Sequence, residues 1–482
     1  MSVLSGYEPA SVLRHFEDIC AIPHGSFHTK AISDHVVAFA RAHDLRYLQD
    51  AANNVILFVP GTQGYEDSAP VILQGHLDMV CEKEPGCAHD FLTDPLDLAV
   101  EEGYITARGT TLGGDDGIAV AYALALAESE GLPHPPLELV FTSDEEVGML
   151  GAAALDCSCL RGRTMINLDS EEEGYLLVSC AGGMTADCCL PLEREPVEGI
   201  SATLQVEGLT GGHSGGEIHK GRGSATQLLG RVLDALEREL PCRLMGVSGG
   251  GKDNAIPRQA GAELLLQPGQ EQALSDFASR WETILRREYA ATDPALQLTV
   301  TVGEAVTASV LTKACHKKAV GALVQFPFGV QRMSQDIPGL VQTSLNLGIL
   351  STTSEELHAV FSVRSSVSSE KESLHVRLVN LMELLGGSVT VHGDYPAWEY
   401  RKDSPLRELM VRIYRQRTGK DPEVQAIHAG LECGLFSGKL PGLDCVSIGP
   451  DMADIHTSEE RLSIASVARV WEYLCQVLAE LK

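Results

Sequence analysis

The sequence predicts an α/β protein whose mixed, mostly parallel sheet is covered by helices and interrupted by an inserted α+β domain. Three observations lead there. Near the N-terminus, short apolar stretches bounded by Gly, Pro or Asp alternate with helical periodicities. Those stretches are apolar at successive positions, as in strands covered on both faces. After about residue 197 a long middle region of different character begins, and from about residue 393 segments like the first ones return.

Taken in order, "EPASVLRHFEDICAI" (8–22) and "TKAISDHVVAFARAHDL" (29–45) carry apolar residues at three- and four-residue spacing and predict helices. "NVILFVP" (54–60), "PVILQGHL" (70–77), "PLELVFTS" (136–143) and "TMINLD" (164–169) predict buried strands, with the Ala- and Leu-rich helix "DGIAVAYALALAESEG" (116–131) between the second and third. The middle region opens on the alternating strand "EGISATLQVEGL" (198–209) and continues with helices at 224–240 and 271–289. It closes near "GGSVTVHGDYPAWEY" (386–400) and is long enough to hold two similar α/β halves. A helix at 404–419 and the apolar stretches "VQAIHAG" and "DCVSIGP" complete the chain. At 482 residues the chain exceeds the roughly 250–300 residues of a single core, so several domains are expected. They are read as 1–196 and 393–482, two segments of one domain, with 197–392 inserted.

A formal net charge of −29 argues against nucleic acid and against an anionic membrane surface, both of which need clustered Lys and Arg. No apolar run of about 18 residues is present to span a bilayer. The N-terminal stretch lacks a basic region followed by an apolar one, so a cytoplasmic location is expected. Its 13 cysteines are odd in number, scattered and without a CxxC pair, which fits reduced thiols.

Titratable residues gather where the predicted strands end. In "VILQGHLDMV" (71–80) a buried-strand pattern runs into His76 and Asp78, two positions apart and so on one face of a strand. Chemistry in open α/β sheets collects outside the carboxyl ends of strands, though polar residues also simply end strands in solvent. "TTLGGDDGIA" sets Asp115 and Asp116 at a helix start, where Asp is also a good N-cap. "LVFTSDEEVGM" places Asp144, Glu145 and Glu146 in succession, either as a solvated loop or as a cluster whose repulsion a cation relieves. "MINLDSEEEG" repeats the device with Asp169, and "SIGPDMADIHTSEE" adds His456. His, Asp, Glu, Asp and His are together the ligand types of zinc and related divalent metals. Five are too many for one catalytic zinc with an open position, but they suit two metals sharing a carboxylate at about 3.5–4 Å separation.

"GHLDMV", "GGDDG", "SDEEVGM", "NLDSEE", "GGHSGGEIH", "DNAIPR", "IHAGLECG" and "DIHTSEE" stand in the order found in the M20 clan of di-zinc peptidases. The chain resembles that clan over nearly its whole length, and within it the aminoacyl-histidine (Xaa-His) dipeptidases. The resemblance implies a zinc-exopeptidase-like catalytic domain with the inserted domain as a lid, and cleavage of small dipeptides. It implies two Zn2+ per subunit, with Mn2+ or Co2+ as possible substitutes. His76 and Asp169 would hold one metal, Glu146 and His456 the other, and Asp115 would bridge. Asp78 would accept the other ring N–H of His76, and Glu145 would be the general base. In the lid, His213 would stabilise the oxyanion, while Asn254, Arg364 and a backbone N–H of Gly430 would hold the substrate carboxylate. Asp116 is given only a cap or supporting role, and His219 and His428 none beyond the pocket. A homodimer is expected because relatives form them. Deacylation of an N-acyl amino acid by the same metal pair is the alternative chemistry. A non-catalytic zinc-binding homologue is the other, against which Glu145 speaks, since a pure binding site has no use for a base.

Overall fold

A computed structural model describes residues 2–482, which form two compact units. The first takes the chain up to Cys180, then Tyr400–Ala426 and Leu431–Lys482; the second takes Ala181–Glu399 and Ile427–Gly430.

The first unit starts with α1 (Ala10–Cys20), α2 (Lys30–Ala42), β1 (Arg46–Gln49), β2 (Val55–Val59) and β3 (Val71–His76). It continues through β4 (Leu98–Glu101), β5 (Tyr104–Ala107), α3 (Gly114–Ala127), β6 (Leu137–Thr142), α4 (Leu150–Ala154), β7 (Thr164–Asn167) and β8 (Tyr175–Cys180). An eight-stranded sheet runs in the order β1, β2, β6, β3, β7, Asp444–Ser447, β8, Glu423–Ile427. The four central strands, β6, β3, β7 and Asp444–Ser447, are parallel, whereas β1 with β2, β2 with β6, and β8 with Asp444–Ser447 pair antiparallel. Every residue of β3 and β6 is buried, which is why both read as mostly apolar runs interrupted only by Gln74 and His76 in β3 and by Glu138 and Thr142 in β6. Helix α3 is buried along its length. It lies so near β3 that a Cβ on Gly75 would come within 2.5 Å of the Ala119 methyl and of Asp116 Oδ2.

Parallel pairing brings the carboxyl ends of β3, β6 and β7 side by side, with His76 opposite Thr142 and Gln74 opposite Asn167. The loops leaving those ends carry Asp78, Glu145, Glu146 and Asp169. A smaller sheet of β4, β5, Arg461–Ser463 and Met452–Ala453 holds the ends of the loop that bears His456.

In the second unit an antiparallel sheet of nine strands is covered by the helices Ala225–Glu239, Glu271–Glu288, Lys313–Gln325 and Ser368–Leu385. One core joins sheet and helices. Strand Gly182–Pro191 shows the rule: Met184, Ala186, Cys188 and Leu190 are buried in that core, and Thr185, Asp187 and Cys189 alternate with them on the opposite face. No helix among the described residues is long and apolar enough to cross a membrane.

The loop after β6 is anchored by Asn54, which is buried. Its Nδ2 donates to Gly151 O at 3.0 Å and its Oδ1 accepts from Ser143 N at 3.0 Å. Asn54→Ala leaves both main-chain groups buried without these partners, so the expected loss of stability is about 2 kcal/mol. Urea unfolding checks this: the midpoint falls while the far-ultraviolet circular dichroism of the folded protein stays unchanged.

Candidate active site

His76 is the last residue of β3, and its side chain is 1% exposed. Its Nε2 lies 3.1 Å from Asp115 Oδ1 and 3.7 Å from Asp169 Oδ1. Its Nδ1 lies 2.9 Å from the Asp78 main-chain oxygen and 3.5 Å from the Asp78 carboxylate. The main-chain oxygen therefore makes the shorter contact to the ring N–H that the family resemblance gives to the Asp78 carboxylate. That carboxylate accepts from Glu145 N at 2.9 Å, Glu146 N at 3.3 Å and the Ser26 hydroxyl at 2.8 Å. It thereby ties the end of β3 to the loop that carries both glutamates.

Asp115 sits between two histidines. Its Oδ1 faces His76, and its Oδ2 lies 3.2 Å from His456 Nε2, which is also 3.1 Å from Glu146 Oε1. Asp115 and Asp116 have non-helical backbone angles, so regular α3 begins after them. Neither caps the helix. Glu460 covers the turn instead, accepting from Leu112 N at 2.7 Å, Gly113 N at 3.1 Å, Gly114 N at 2.8 Å and Asp115 N at 3.4 Å. Asp116 is buried and its Oδ2 accepts from His76 N at 3.1 Å. Ligand atoms of His76, Asp116 and Asp169, and of His76, Asp115 and Glu146, each lie within 4.8 Å of one another.

The electrostatics follow from crowding acids in a buried place. Burial, with neighbouring acids, pushes Asp169 and Asp116 well above the usual carboxylate range. Burial also pushes Glu145 up to about 7, with His76 opposing and Glu146 and Asp115 adding to it. Against burial, the hydrogen bonds from His456 and His76 hold Asp115 far below its ordinary value. The same contacts work in reverse on the rings. Asp115 and then Glu146 raise His456 to about 10, and Asp115 and Asp78 raise His76 against its burial. The two imidazoles thus supply the positive charge that these carboxylates require, a task a divalent cation performs without protons. Glu146 Oε1 is buried with His456 Nε2 beside it at 3.1 Å, and the ligand atoms gathered here are imidazole nitrogens and carboxylate oxygens. This donor set fits divalent cations of the zinc, manganese and cobalt group.

Two supporting acids lay outside the sequence reading. Glu460 is one, although it ends the quoted "DIHTSEE". Glu432 is the other: it is buried, accepts from Gln74 Nε2 at 2.5 Å and the Thr142 hydroxyl at 2.6 Å, and is pushed up to about 8 by burial and then by Glu145. A charged residue inside the small-residue run "HAGLECG" and a Gln inside an apolar strand were the available signals.

Within the second unit, the short strand Gly212–His213 pairs with Ala255–Ile256, which sets His213 beside the Asn254 segment. The Asn254 carbonyl accepts from Ser214 N at 2.8 Å. His213 Nδ1 accepts from Gly215 N at 3.2 Å and Gly216 N at 3.1 Å, so the neutral ring carries its proton on Nε2. Arg364 reaches Tyr395 Oη at 3.4 Å, and a Cβ on Gly430 would lie 2.8 Å from the same tyrosine ring. His428 bonds the Ser344 hydroxyl at 2.7 Å; burial first, then Arg364, His219 and His213, lower it to about 3. His213, His219, Arg364 and His428 thus share one neighbourhood within this unit.

Comparison with known proteins identifies the family. Residues 72–480 match the description "Peptidase family M20/M25/M40". Over 483 aligned residues, 100% of this chain and 99% of the relative, the chain is 38% identical to the cytosol non-specific dipeptidase of Escherichia coli strain K12. The crystal structure of aminoacylhistidine dipeptidase from Vibrio alginolyticus superposes with a TM-score of 0.91 at 35% identity, covering 98% of this chain and 97% of that one. Aminopeptidase PepT from Bacillus cereus, at 15% identity, shares the fold with a TM-score of 0.57 over 98% of this chain and 99% of its own. With histidines and carboxylates converging at the strand ends and a match that runs through nearly all of its length, this chain belongs to peptidase family M20/M25/M40.

Proposed function

We propose that this chain is a metallodipeptidase that hydrolyses unsubstituted dipeptides, Xaa-His dipeptides among them, with two bound zinc ions. The observation that carries the reading is the Asp115 carboxylate, which turns one oxygen to His76 and the other to His456. A carboxylate shared in this way suits a bridge between two cations. His76 and Asp169 would hold one and Glu146 and His456 the other. The relatives named cytosol non-specific dipeptidase and aminoacylhistidine dipeptidase support the substrate class, and the first also supports a cytosolic location.

When bound, paired divalent cations supply Lewis acidity that polarises a scissile carbonyl and eases loss of a proton from water. The remaining work falls to the chain's own groups. Glu145 is the general base: its backbone is tied to Asp78 beside Glu146, and its carboxylate takes a proton from water and hands it to the leaving amine. Asp78 positions both glutamates and, through its main-chain oxygen, the His76 ring. Residues 197–392 are read as a lid. In it the Nε2–H of His213 would donate to the developing oxyanion. Asn254, Arg364 and the N–H of Gly430 would hold the substrate carboxylate.

Glu145→Ala is expected to retain about two equivalents of zinc while kcat falls by roughly 10³-fold; metal analysis and steady-state kinetics on one sample check both. Unchanged turnover removes Glu145 from the mechanism. Chelation is expected to abolish turnover and re-addition of Zn2+, Mn2+ or Co2+ singly to restore it, measured on a dipeptide panel. In the same assay a free-amine dipeptide is expected to outpace an N-acetylated amino acid, and the opposite order would make the enzyme a deacylase.

A further inference from the structure

We propose that Asp187, Cys189 and His358 form a separate cation site, of the chemistry that favours zinc, on the face of the second unit's sheet turned away from its helix-covered core. Strands Gly182–Pro191 and Glu356–Ser365 pair antiparallel with His358 opposite Cys189 and Val360 opposite Asp187. Asp187 and Cys189 are two apart on one strand, so both share a face with His358. That face is the one the core leaves outside, because Ala186, Cys188 and Leu190 point inward.

The distances are those of a ligand set. Cys189 Sγ lies 3.2 Å from His358 Nδ1, and Asp187 Oδ1 lies 3.5 Å from the same nitrogen. All three ligand atoms fall within 4.8 Å of one another. Zinc bonds of about 2.0 Å to N and O and 2.3 Å to S set tetrahedral ligands roughly 3.3–3.8 Å apart, so a cation fits with small adjustments. The other ring nitrogen, Nε2, is 3.1 Å from Glu356 Oε2. A carboxylate that takes the free N–H of a ligating histidine is the usual support of such a site, fixing the tautomer that leaves Nδ1 for the metal.

A second observation concerns charge and unmet bonding capacity. Asp187 Oδ1 is buried yet accepts no hydrogen bond. Asp187 and Glu356 are ion-paired with His358 and, among the described residues, with no Lys or Arg. Two acids and a thiol around one imidazole leave negative charge for which a dication is the natural complement. Asp187 and His358 side chains are 30% and 29% exposed, which leaves a path for the ion and room for water as a fourth ligand. The thiol gives up its proton to solvent on binding, and Cys189 becomes a thiolate ligand.

The inference does not rest on the dipeptidase reading, because the residues assigned to that site offer only nitrogen and oxygen. A cobalt titration of the chelator-stripped, full-length chain separates the two. Cobalt at the catalytic residues gives weak visible bands, whereas a thiolate ligand adds an intense near-ultraviolet charge-transfer band. We expect that band to saturate at one Co2+ per chain, to vanish in Cys189→Ser and to weaken or shift in His358→Gln, with peptidase turnover of Cys189→Ser within about two-fold of the parent. We also expect zinc to slow alkylation of Cys189 by iodoacetamide, followed by peptide mass spectrometry. Absence of the band in the parent protein, or its persistence in Cys189→Ser, overturns the proposal.

Discussion

One carboxylate carries most of the structure's logic. Asp115 stands between His76 and His456, one oxygen to each, and so joins the end of a central strand to a loop from the far end of the chain. Around it Asp116, Glu145, Glu146 and Asp169 crowd into a partly or fully buried region where like charges are costly. The two imidazoles hold the arrangement together by taking up positive charge. Exchanging those protons for dications keeps the same balance and frees the imidazole nitrogens to act as ligands.

The scaffold around Asp115 is built to hold acids where they would otherwise separate. Asp78 receives the backbone N–H groups of Glu145 and Glu146, so two neighbouring side chains of identical chemistry are held in place side by side. Glu460 gathers four successive N–H groups of the Gly-rich turn, which satisfies donors that the irregular start of α3 leaves open. Glu432, Gln74 and Thr142 lie beneath, and Asn54 closes the loop after β6. Rigid parallel strands thus supply the positions, and the loops at their carboxyl ends supply the chemistry.

Much of this was legible in the sequence because polar residues in apolar surroundings are conspicuous. The runs at 54–60, 70–77, 136–143 and 164–169 each contain a strand, and the titratable groups at or beyond their ends converge in space. What remained hidden depends on contacts over long separations or on the main chain. Glu460 reaches Leu112 across 348 residues, and nothing local distinguishes it from the acids beside it. The main-chain oxygen of Asp78, as the nearer partner of His76, leaves no trace in residue identity. Asp115 and Asp116 have the composition of helix caps, but their side-chain oxygens go to His76 and His456 instead of to helix N–H groups. The cluster of Cys189 and His358 emerges only from the register of strands 169 residues apart.

The central claim is that Asp115 is the bridge of a two-cation site. Anomalous diffraction at the zinc edge, from crystals grown with zinc, tests it most directly. The account predicts two peaks about 3.5–4 Å apart, one on each side of the Asp115 carboxylate, with the first against His76 and Asp169 and the second against Glu146 and His456. A single peak there, or zinc that leaves Asp115 untouched, would contradict it.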